Sequence, residues 1–322
     1  MIDIVLYEVY KEEQKAIEKF LSKKIRAKYF WQTIQSLKHT DPPARLISIR
    51  TQSQISLSWS GKLSGILSRS QGFDHILKYQ QQTGIAVPAG YLGDYCSRSV
   101  AEHAVMAMMV LMRKLKRQIR NFDTFNRDNI TGGEFLNKNA LVVGVGNIGS
   151  HLVDLLAGLG MNVRGVDIVK RRKNLQYLPL KKGIAKADVI FCALPLTEKT
   201  NELLDYSLLR NIKKGAIFIN VSRGEISPLA DLKRLFDENI LGGLSLDVYQ
   251  DEAEVSGYLR RRSAKKGPSV KAVLDLKKRD NVLFTPHNAF NTKEALERKA
   301  FLTAEAIHSF LGKGQFPYSV SF

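Results

Sequence analysis

The stretch ALVVGVGNIGSHLVDLLAGLGMNVRGVDIV, residues 140–169, decides the fold. ALVVGVG is a short apolar run that reads as a buried strand. NIGSHLVDLLAGLG has the apolar spacing of a helix, and NVRGVDIV is a second strand. Gly144, Gly146 and Gly149 stand at the turn between the first strand and the helix, in the spacing G-x-G-x-x-G. Alone this spacing is a weak signal, because glycines also pack turns. Between a strand and a helix it has the context of a dinucleotide site. The first glycine permits the tight turn, the second lets backbone approach a pyrophosphate, and the third lets helix and strand pack closely. The helix N-terminus then offers unpaired N–H groups to an anion. Asp167 ends the second strand, eighteen residues after Gly149. A carboxylate there accepts hydrogen bonds from an adenine ribose and repels a 2′-phosphate. The expected cofactor is therefore NAD. The basic run Lys170, Arg171, Arg172 and Lys173 is the one feature that would suit NADP.

Downstream the alternation continues. ADVIFCALP (187–195), GAIFINVS (215–222), LGGLSLDVY (241–249) and NVLFTPH (281–287) are further apolar runs, and helical segments such as SPLADLKRLFDEN (227–239) separate most of them. Strands buried on both faces and joined by helices make a doubly wound parallel sheet. Upstream, IDIVLYEV, ARLISIR, LSGILSRS and GIAVPAG read as strands, and KEEQKAIEKFLSKK reads as a helix. SRSVAEHAVMAMMVLMRKLKRQIR (97–120) predicts one long helix, with Ser97 or Ser99 as its cap and basic residues at its C-terminal end. It is apolar nearly all round from Val105 to Met112, which requires cover from another domain or another subunit. The tail TKEALERKAFLTAEAIHSFLGKG (292–314) predicts one amphipathic helix that returns to the first domain. The expected fold class is α/β.

Composition narrows the function. The chain has 322 residues, 44% of them apolar and 25% charged, which suits a soluble two-domain protein. Its longest apolar run, Ala104 to Met112, is too short for a bilayer, so no membrane role is expected. The opening MIDIVLYEVYKEEQ lacks a basic start and a cleavage pattern, so no signal peptide is expected. Cys96 and Cys192 are far apart and fit neither a disulfide framework nor a metal site. Cys192 lies within a strand as a filler. The expected setting is the reduced cytoplasm, with no metal. The net charge of +18 raises the question of nucleic acid. Yet the basic residues are spread out, and the clusters 113–120, 170–173 and 260–266 have no interleaved aromatics. A basic surface for anionic substrates is the preferred reading, and nucleic acid is not the expected partner.

Polar groups follow three of the strands, at the edge where open α/β sheets bind ligands. Arg223 follows IFINVS. Asp247 follows GGLSL, with Glu252 five residues on. His287 follows LFTP. Singly, each has a bland explanation as a solvated or structural side chain. Together, beside a nucleotide site, they point to a catalytic crevice.

At these residues the chain resembles the D-isomer-specific 2-hydroxyacid dehydrogenases, over nearly its whole length. The stretches that carry the likeness are SRSQGFDHI (68–76), SVAEHA (99–104), VVGVGNIG (142–149), ADVIFCALPLTEKT (187–200), GAIFINVSRGE (215–225), LSLDVYQDE (244–252) and TPHNAFNT (285–292). The resemblance implies two Rossmann-like or flavodoxin-like domains, with a cofactor domain (99–290) inserted in a substrate domain (1–98 plus 291–322). It implies that Arg223 binds the substrate carboxylate and carbonyl, that His287 is the acid/base, and that Glu252 pairs with His287 and favours its protonated form. Asp247 would face the nicotinamide end. Asn147, Ile148, Leu194, Pro195, Thr200, Val221 and Ser222 match cofactor-contacting positions. Gln71 and Gly72 match a loop whose N–H groups hold the substrate carboxylate, and Tyr95 matches a tyrosine on the substrate side. The helix 99–118 would form a homodimer contact.

TPHNAF and the long segment between Glu252 and His287 resemble the D-lactate dehydrogenase branch of that family. Three features depart from the family pattern: Gln71 where a small apolar residue is common, added length in GYLGD (90–94), and the basic run RRRSAKKGPSVK (260–271). The expected reaction is reversible hydride transfer between NAD(H) and a small 2-keto or 2-hydroxy acid. Two alternatives stand beside it. One is another dehydrogenase on the same scaffold, of formate, phosphite or phosphoglycerate type. The other is a cofactor-sensing binding protein like the family's transcriptional corepressors.

Overall fold

The computed structural model describes residues 2–261 and 266–321, so part of the basic run 260–271 lies outside the described residues. The chain divides into two compact units, Met1–Cys96 with Asn291–Phe322, and Ser97–Phe290. Both are α/β.

The first unit opens with β1 (Ile4–Leu6), α1 (Lys11–Phe20), β2 (Ala27–Tyr29), α2 (Ile34–Leu37), β3 (Leu46–Ile49), β4 (Gly65–Ser68), α3 (Asp74–Thr83) and β5 (Ala89–Gly90). The strands form one sheet in the order β2-β1-β3-β4-β5, and every pair is parallel. β1, β3 and β4 are buried at every position, as strands covered on both faces must be. Val5, Tyr7, Ile47, Ile49, Trp59, Ile66 and Ile76 fill one side of this sheet.

The second unit runs α4 (Ser97–Met112), α5 (Leu115–Phe122), β6 (Asn139–Val143), α6 (Asn147–Gly158), β7 (Asn162–Val166), β8 (Gln176–Tyr177), α7 (Leu180–Lys186), β9 (Val189–Cys192), α8 (Tyr206–Leu209), β10 (Ala216–Asn220), α9 (Leu229–Asp237), β11 (Leu241–Leu246), α10 (Glu252–Arg261), α11 (Pro268–Leu276) and β12 (Val282–Phe284). Its seven strands lie in the order β12-β11-β10-β9-β6-β7-β8, all parallel. The order reverses between β6 and β9, so a crevice opens there at the carboxyl ends of the strands. The stretch 140–169 forms β6, α6 and β7 at that reversal.

The final helix α12 (Lys293–Lys313) belongs to the first unit and packs on α1 and β4. Thr292 caps it by accepting from Ala295 N at 3.2 Å, and Gly314 ends it at φ +72°.

The expected single helix 97–120 is two helices. Lys114 takes φ +52°, which breaks the ladder between α4 and α5. The basic residues therefore lie beyond the end of α4, and most belong to α5. Neither serine caps α4 from outside: both lie within the helix, and Ser99 Oγ donates to Phe290 O at 3.2 Å. Cover for the apolar girth comes largely from α6 and strands β10 to β12 of the same unit.

Candidate active site

The glycine turn is built from three separate needs. Gly144 sits at φ +93°, and a Cβ there would fall 2.6 Å from Ala193 O. A Cβ on Gly149 would fall 1.9 Å from Gly144 O, so only glycine lets α6 start this close to β6. Gly146 is different. Its φ of −77° calls for no glycine, and no protein atom lies within 4 Å of where its Cβ would be. Nothing inside the chain demands a glycine here, which fits an outside group that must approach the backbone closely. The α6 ladder begins with Ser150 N donating to Gly146 O at 2.9 Å, so the amides of Asn147, Ile148 and Gly149 have no acceptor within the helix. A pyrophosphate fits this cradle.

Asp167 stands at the end of β7, beside this turn. Its Oδ2 accepts from Val145 N at 2.6 Å, and its Oδ1 accepts from Val169 N at 2.8 Å. The carboxylate is thereby fixed against the loop that follows Gly144. Arg172, the third residue of the basic run, is committed elsewhere. Its guanidinium pairs with Asp154 and donates to Ser150 O at 3.1 Å, both on α6. The run is thus partly spent on packing and is a weaker anion site than its composition suggests.

Across the reversal, Leu194, Pro195 and Thr200 follow β9. Thr200 Oγ1 donates to Pro195 O at 2.6 Å and rounds off this loop. Val221 and Ser222 follow β10. Ser222 N and Oγ both reach Asn220 Oδ1 at 2.9 Å, and Cys192 Sγ lies 3.2 Å from Ser222 Oγ. Burial pushes the Cys192 thiol up to about 11, which suits its expected role as filler.

Arg223 comes next, half-buried, with its backbone carbonyl held by Asn220 Nδ2 at 2.9 Å. The following Gly224 sets its position. A Cβ there would fall 1.9 Å from the backbone of Tyr249, so the segment after β10 runs against the segment after β11. In sequence this glycine has no mark that sets it apart from other loop glycines. It joins the arginine's loop to the loop that leads to Glu252.

Glu252 opens α10, and both of its carboxylate oxygens lie 2.9 Å from His287 Nδ1. His287 takes φ +51°, in the left-handed region that an ordinary residue enters only when held there. The hold is Asp247. This residue is 2% exposed and collects three donors: Thr285 Oγ1 at 2.6 Å, Asn288 N at 2.8 Å and Ala289 N at 2.9 Å. Its carboxylate is engaged by the loop that carries His287, an anchoring role the resemblance did not supply. Tyr249 adds a bond from its hydroxyl to Thr285 O at 2.7 Å. His103 on α4 lies 3.1 Å from Thr285 Oγ1. Among the described residues no group of histidine, cysteine and carboxylate side chains could hold a metal.

Gln71, Gly72 and Tyr95 lie in the first unit. Gln71 Nε2 donates to Asp94 Oδ1 at 3.2 Å, and Gln71 Oε1 accepts from Cys96 Sγ at 3.3 Å. The extra residues of GYLGD thus supply a partner for the unusual glutamine. The carbonyl of Gly72 accepts from Ser70 Oγ at 2.7 Å and Ser68 Oγ at 3.1 Å. Among the described residues, nothing accepts from the N–H of Gln71 or of Gly72. Tyr95 is buried, and burial pushes its hydroxyl well above the usual range.

The loop 70–72 is rooted in a buried ionic cluster. Arg69, fully buried, donates to Glu13 Oε1 at 3.2 Å, to Ser48 Oγ at 3.0 Å and to Tyr7 O. Lys299 of α12 meets the same Glu13 oxygen at 2.6 Å. Burial raises the Glu13 carboxyl, but Lys299, Arg69 and Arg50 outweigh it and hold it at about 2. Burial pushes the Lys299 ammonium down to about 7. A lysine on the buried stripe of an amphipathic helix was the sequence signal for this cluster.

A reversed α/β sheet, a glycine turn with an outward-facing helix end, and a histidine–glutamate pair beyond adjacent strands define a nucleotide-dependent oxidoreductase. Comparison with known proteins identifies the family. The model of the D-isomer specific 2-hydroxyacid dehydrogenase, NAD binding domain, matches residues 104–289. A 2-hydroxyacid dehydrogenase homolog from Schizosaccharomyces pombe is 31% identical over 264 residues, 78% of this chain and 77% of that protein. D-lactate dehydrogenase of Staphylococcus aureus is 27% identical over 240 residues, 72% of this chain and 71% of that protein. The crystal structure of D-lactate dehydrogenase from Aquifex aeolicus, complexed with NAD and lactic acid, superposes with a TM-score of 0.85. It is 28% identical and covers 99% of this chain and 100% of that one. The chain belongs to the D-isomer-specific 2-hydroxyacid dehydrogenases. It is an NAD-dependent oxidoreductase acting on a hydroxyl group.

Proposed function

We propose that the protein interconverts a small 2-keto acid and its D-2-hydroxy acid, of the D-lactate type. The observation that carries this reading is the Glu252–His287 pair. With Nδ1 facing a carboxylate, the ring's Nδ1–H is the donor to Glu252, and Nε2 is the nitrogen that exchanges a proton with substrate. NAD, when bound, supplies or takes the hydride. His287 donates its Nε2 proton to the carbonyl oxygen during reduction and takes it back during oxidation. Arg223 holds the substrate carboxylate with two donors and steadies the charge that grows on the carbonyl oxygen. By the family resemblance the N–H groups of Gln71 and Gly72 hold a substrate carboxylate, and Tyr95 belongs with the substrate side. Asn147, Ile148, Leu194, Pro195, Thr200, Val221 and Ser222, with the three glycines and Asp167, line the cofactor's path. Residues 1–96 with 291–322 act as the substrate domain and 97–290 as the cofactor domain.

The lactate-type preference rests on the named relatives and on TPHNAF. For a homodimer, expected through the helix 99–118, the support lies at the end of that stretch, where α5 begins, and beyond it. Leu115, Ile119 and Phe122 recur at helical spacing and are exposed by 40%, 65% and 72%, with Phe125 beside them at 71%. An apolar stripe of this kind is covered in a stable assembly. The buried free cysteines Cys96 and Cys192 suit a reducing cytoplasm. Among the described residues no helix is long and apolar enough to cross a membrane. The deciding experiment is NADH oxidation with a panel of 2-keto acids of graded side chain, pyruvate first. Turnover with pyruvate and production of the D enantiomer support the reading. No turnover with any member overturns it.

A further inference from the structure

The geometry points to His103 as a positioning residue for His287, acting through Thr285 and Asp247; this rests on the reading of His287 as the acid/base. Thr285 Oγ1 lies 2.6 Å from Asp247 Oδ1 and 3.1 Å from His103 Nε2. A hydroxyl has a single proton. The carboxylate already gathers the amides of Asn288 and Ala289 and takes the hydroxyl proton as its third donor. The Thr285 oxygen is then left to accept, and among the described residues the group placed to donate to it is His103 Nε2–H. His103 itself is 4.0 Å from Asp247 Oδ1, too far for a direct bond. The threonine is the necessary link.

The chain His103 to Thr285 to Asp247 closes on both sides of His287. Thr285 precedes it by two residues, and the anchored amides of Asn288 and Ala289 follow it. His287 N also donates to Thr285 O at 3.0 Å. A non-glycine residue at φ +51° stays there only when its surroundings over-determine it. The hydroxyl orientation set by His103 is part of that over-determination. Without His103, Thr285 Oγ1 keeps one partner instead of two, and its hold on Asp247 is less constrained.

The test compares His103→Leu and Thr285→Val, which break the chain, with His103→Gln and Thr285→Ser, which keep a donor and a hydroxyl. Two readouts are taken. Hydrogen exchange at the Asn288 and Ala289 amides, measured without substrate, should quicken by about tenfold or more in the breaking variants and stay near wild type in the conservative ones. The kcat of keto-acid reduction should fall about tenfold in the same two variants, and the double variant should lose no more than the worse single one. Unchanged exchange in both breaking variants overturns the inference, as do additive losses in kcat or failure of both conservative variants to rescue. If the exchange pattern holds but no 2-keto acid oxidises NADH even in wild type, the proposed reaction falls and the positioning chain stands.

Discussion

Both carboxylate oxygens of Glu252 lie 2.9 Å from Nδ1 of His287, although the two residues are 35 positions apart. The pair forms because β11 and β12 are parallel neighbours and their carboxyl ends lie side by side. The first consequence concerns the third member of the site, Arg223. Arg223→Lys keeps the charge but loses the planar fork. The loss should be about 3–5 kcal/mol of transition-state binding. The measurement is kcat/KM with the best keto acid. A fall of less than about tenfold contradicts the assignment.

Gly149 and Gly146 should separate cleanly. Gly149→Ala forces a Cβ to 1.9 Å from Gly144 O and should unfold at lower temperature. Gly146→Ala meets open space and should melt like wild type. Its NADH affinity should nonetheless fall by about tenfold or more, because the methyl occupies the approach to the backbone. Calorimetry and NADH fluorescence titration check the two variants. A Gly146→Ala protein with full NADH affinity would remove the fit argument for the cofactor.

NADH should be preferred to NADPH. Asp167 is fixed by two backbone amides beside the glycine turn, and Arg172 is engaged by Asp154. A 2′-phosphate would meet a carboxylate that cannot swing away. The ratio of kcat/KM for the two cofactors decides it. A preference for NADPH would mean that Lys170, Arg171 and Lys173 outweigh the acid.

The cofactor half of the site was legible because each of its signals is local. A strand, a glycine turn, a helix and an acid follow one another within residues 140–169, and local geometry sets their contacts. The same holds for α12, whose cap, stripe and terminal glycine all lie within one segment. The rest was hidden where a contact joins distant segments. Gly224 looks like any loop glycine until Tyr249 is brought against it. Thr285 and His103 carry no signal without the sheet that brings β12 beneath α4. The break at Lys114 was missed because the apolar pattern of 97–120 runs on without proline or glycine. β2 and β8 were missed because two or three residues at a sheet edge carry too little periodicity.

The buried cluster of the first unit should show itself in acid. The Glu13 carboxyl sits at about 2 when folded, against an ordinary value of 4.5. A depressed folded value means that its contribution is complete above 4.5 and is lost as pH falls toward 2. Glu13→Gln removes the anion and leaves Arg69 and Lys299 buried without it, at a cost of about 3–5 kcal/mol. In urea unfolding the gap between wild type and Glu13→Gln should be widest near neutrality. It should narrow steadily once the pH drops below 4.5. A gap that is constant with pH would show that the ionised carboxylate does not support the fold.

The measurement that bears most directly on the account is the pH dependence of kcat/KM for keto-acid reduction, from about pH 5 to 9, in wild type, Glu252→Gln and His287→Gln. Reduction needs imidazolium at His287, so the wild-type rate should decline as pH rises, while hydroxy-acid oxidation should rise. Glu252→Gln removes the carboxylate that faces His287 Nδ1 and orients the ring, so kcat/KM should fall by about tenfold or more. His287→Gln should lose most activity in both directions and lose this pH dependence, yet still bind NADH. Full kcat/KM in Glu252→Gln, or an active His287→Gln with the wild-type pH dependence, would contradict the claim that His287 carries the proton.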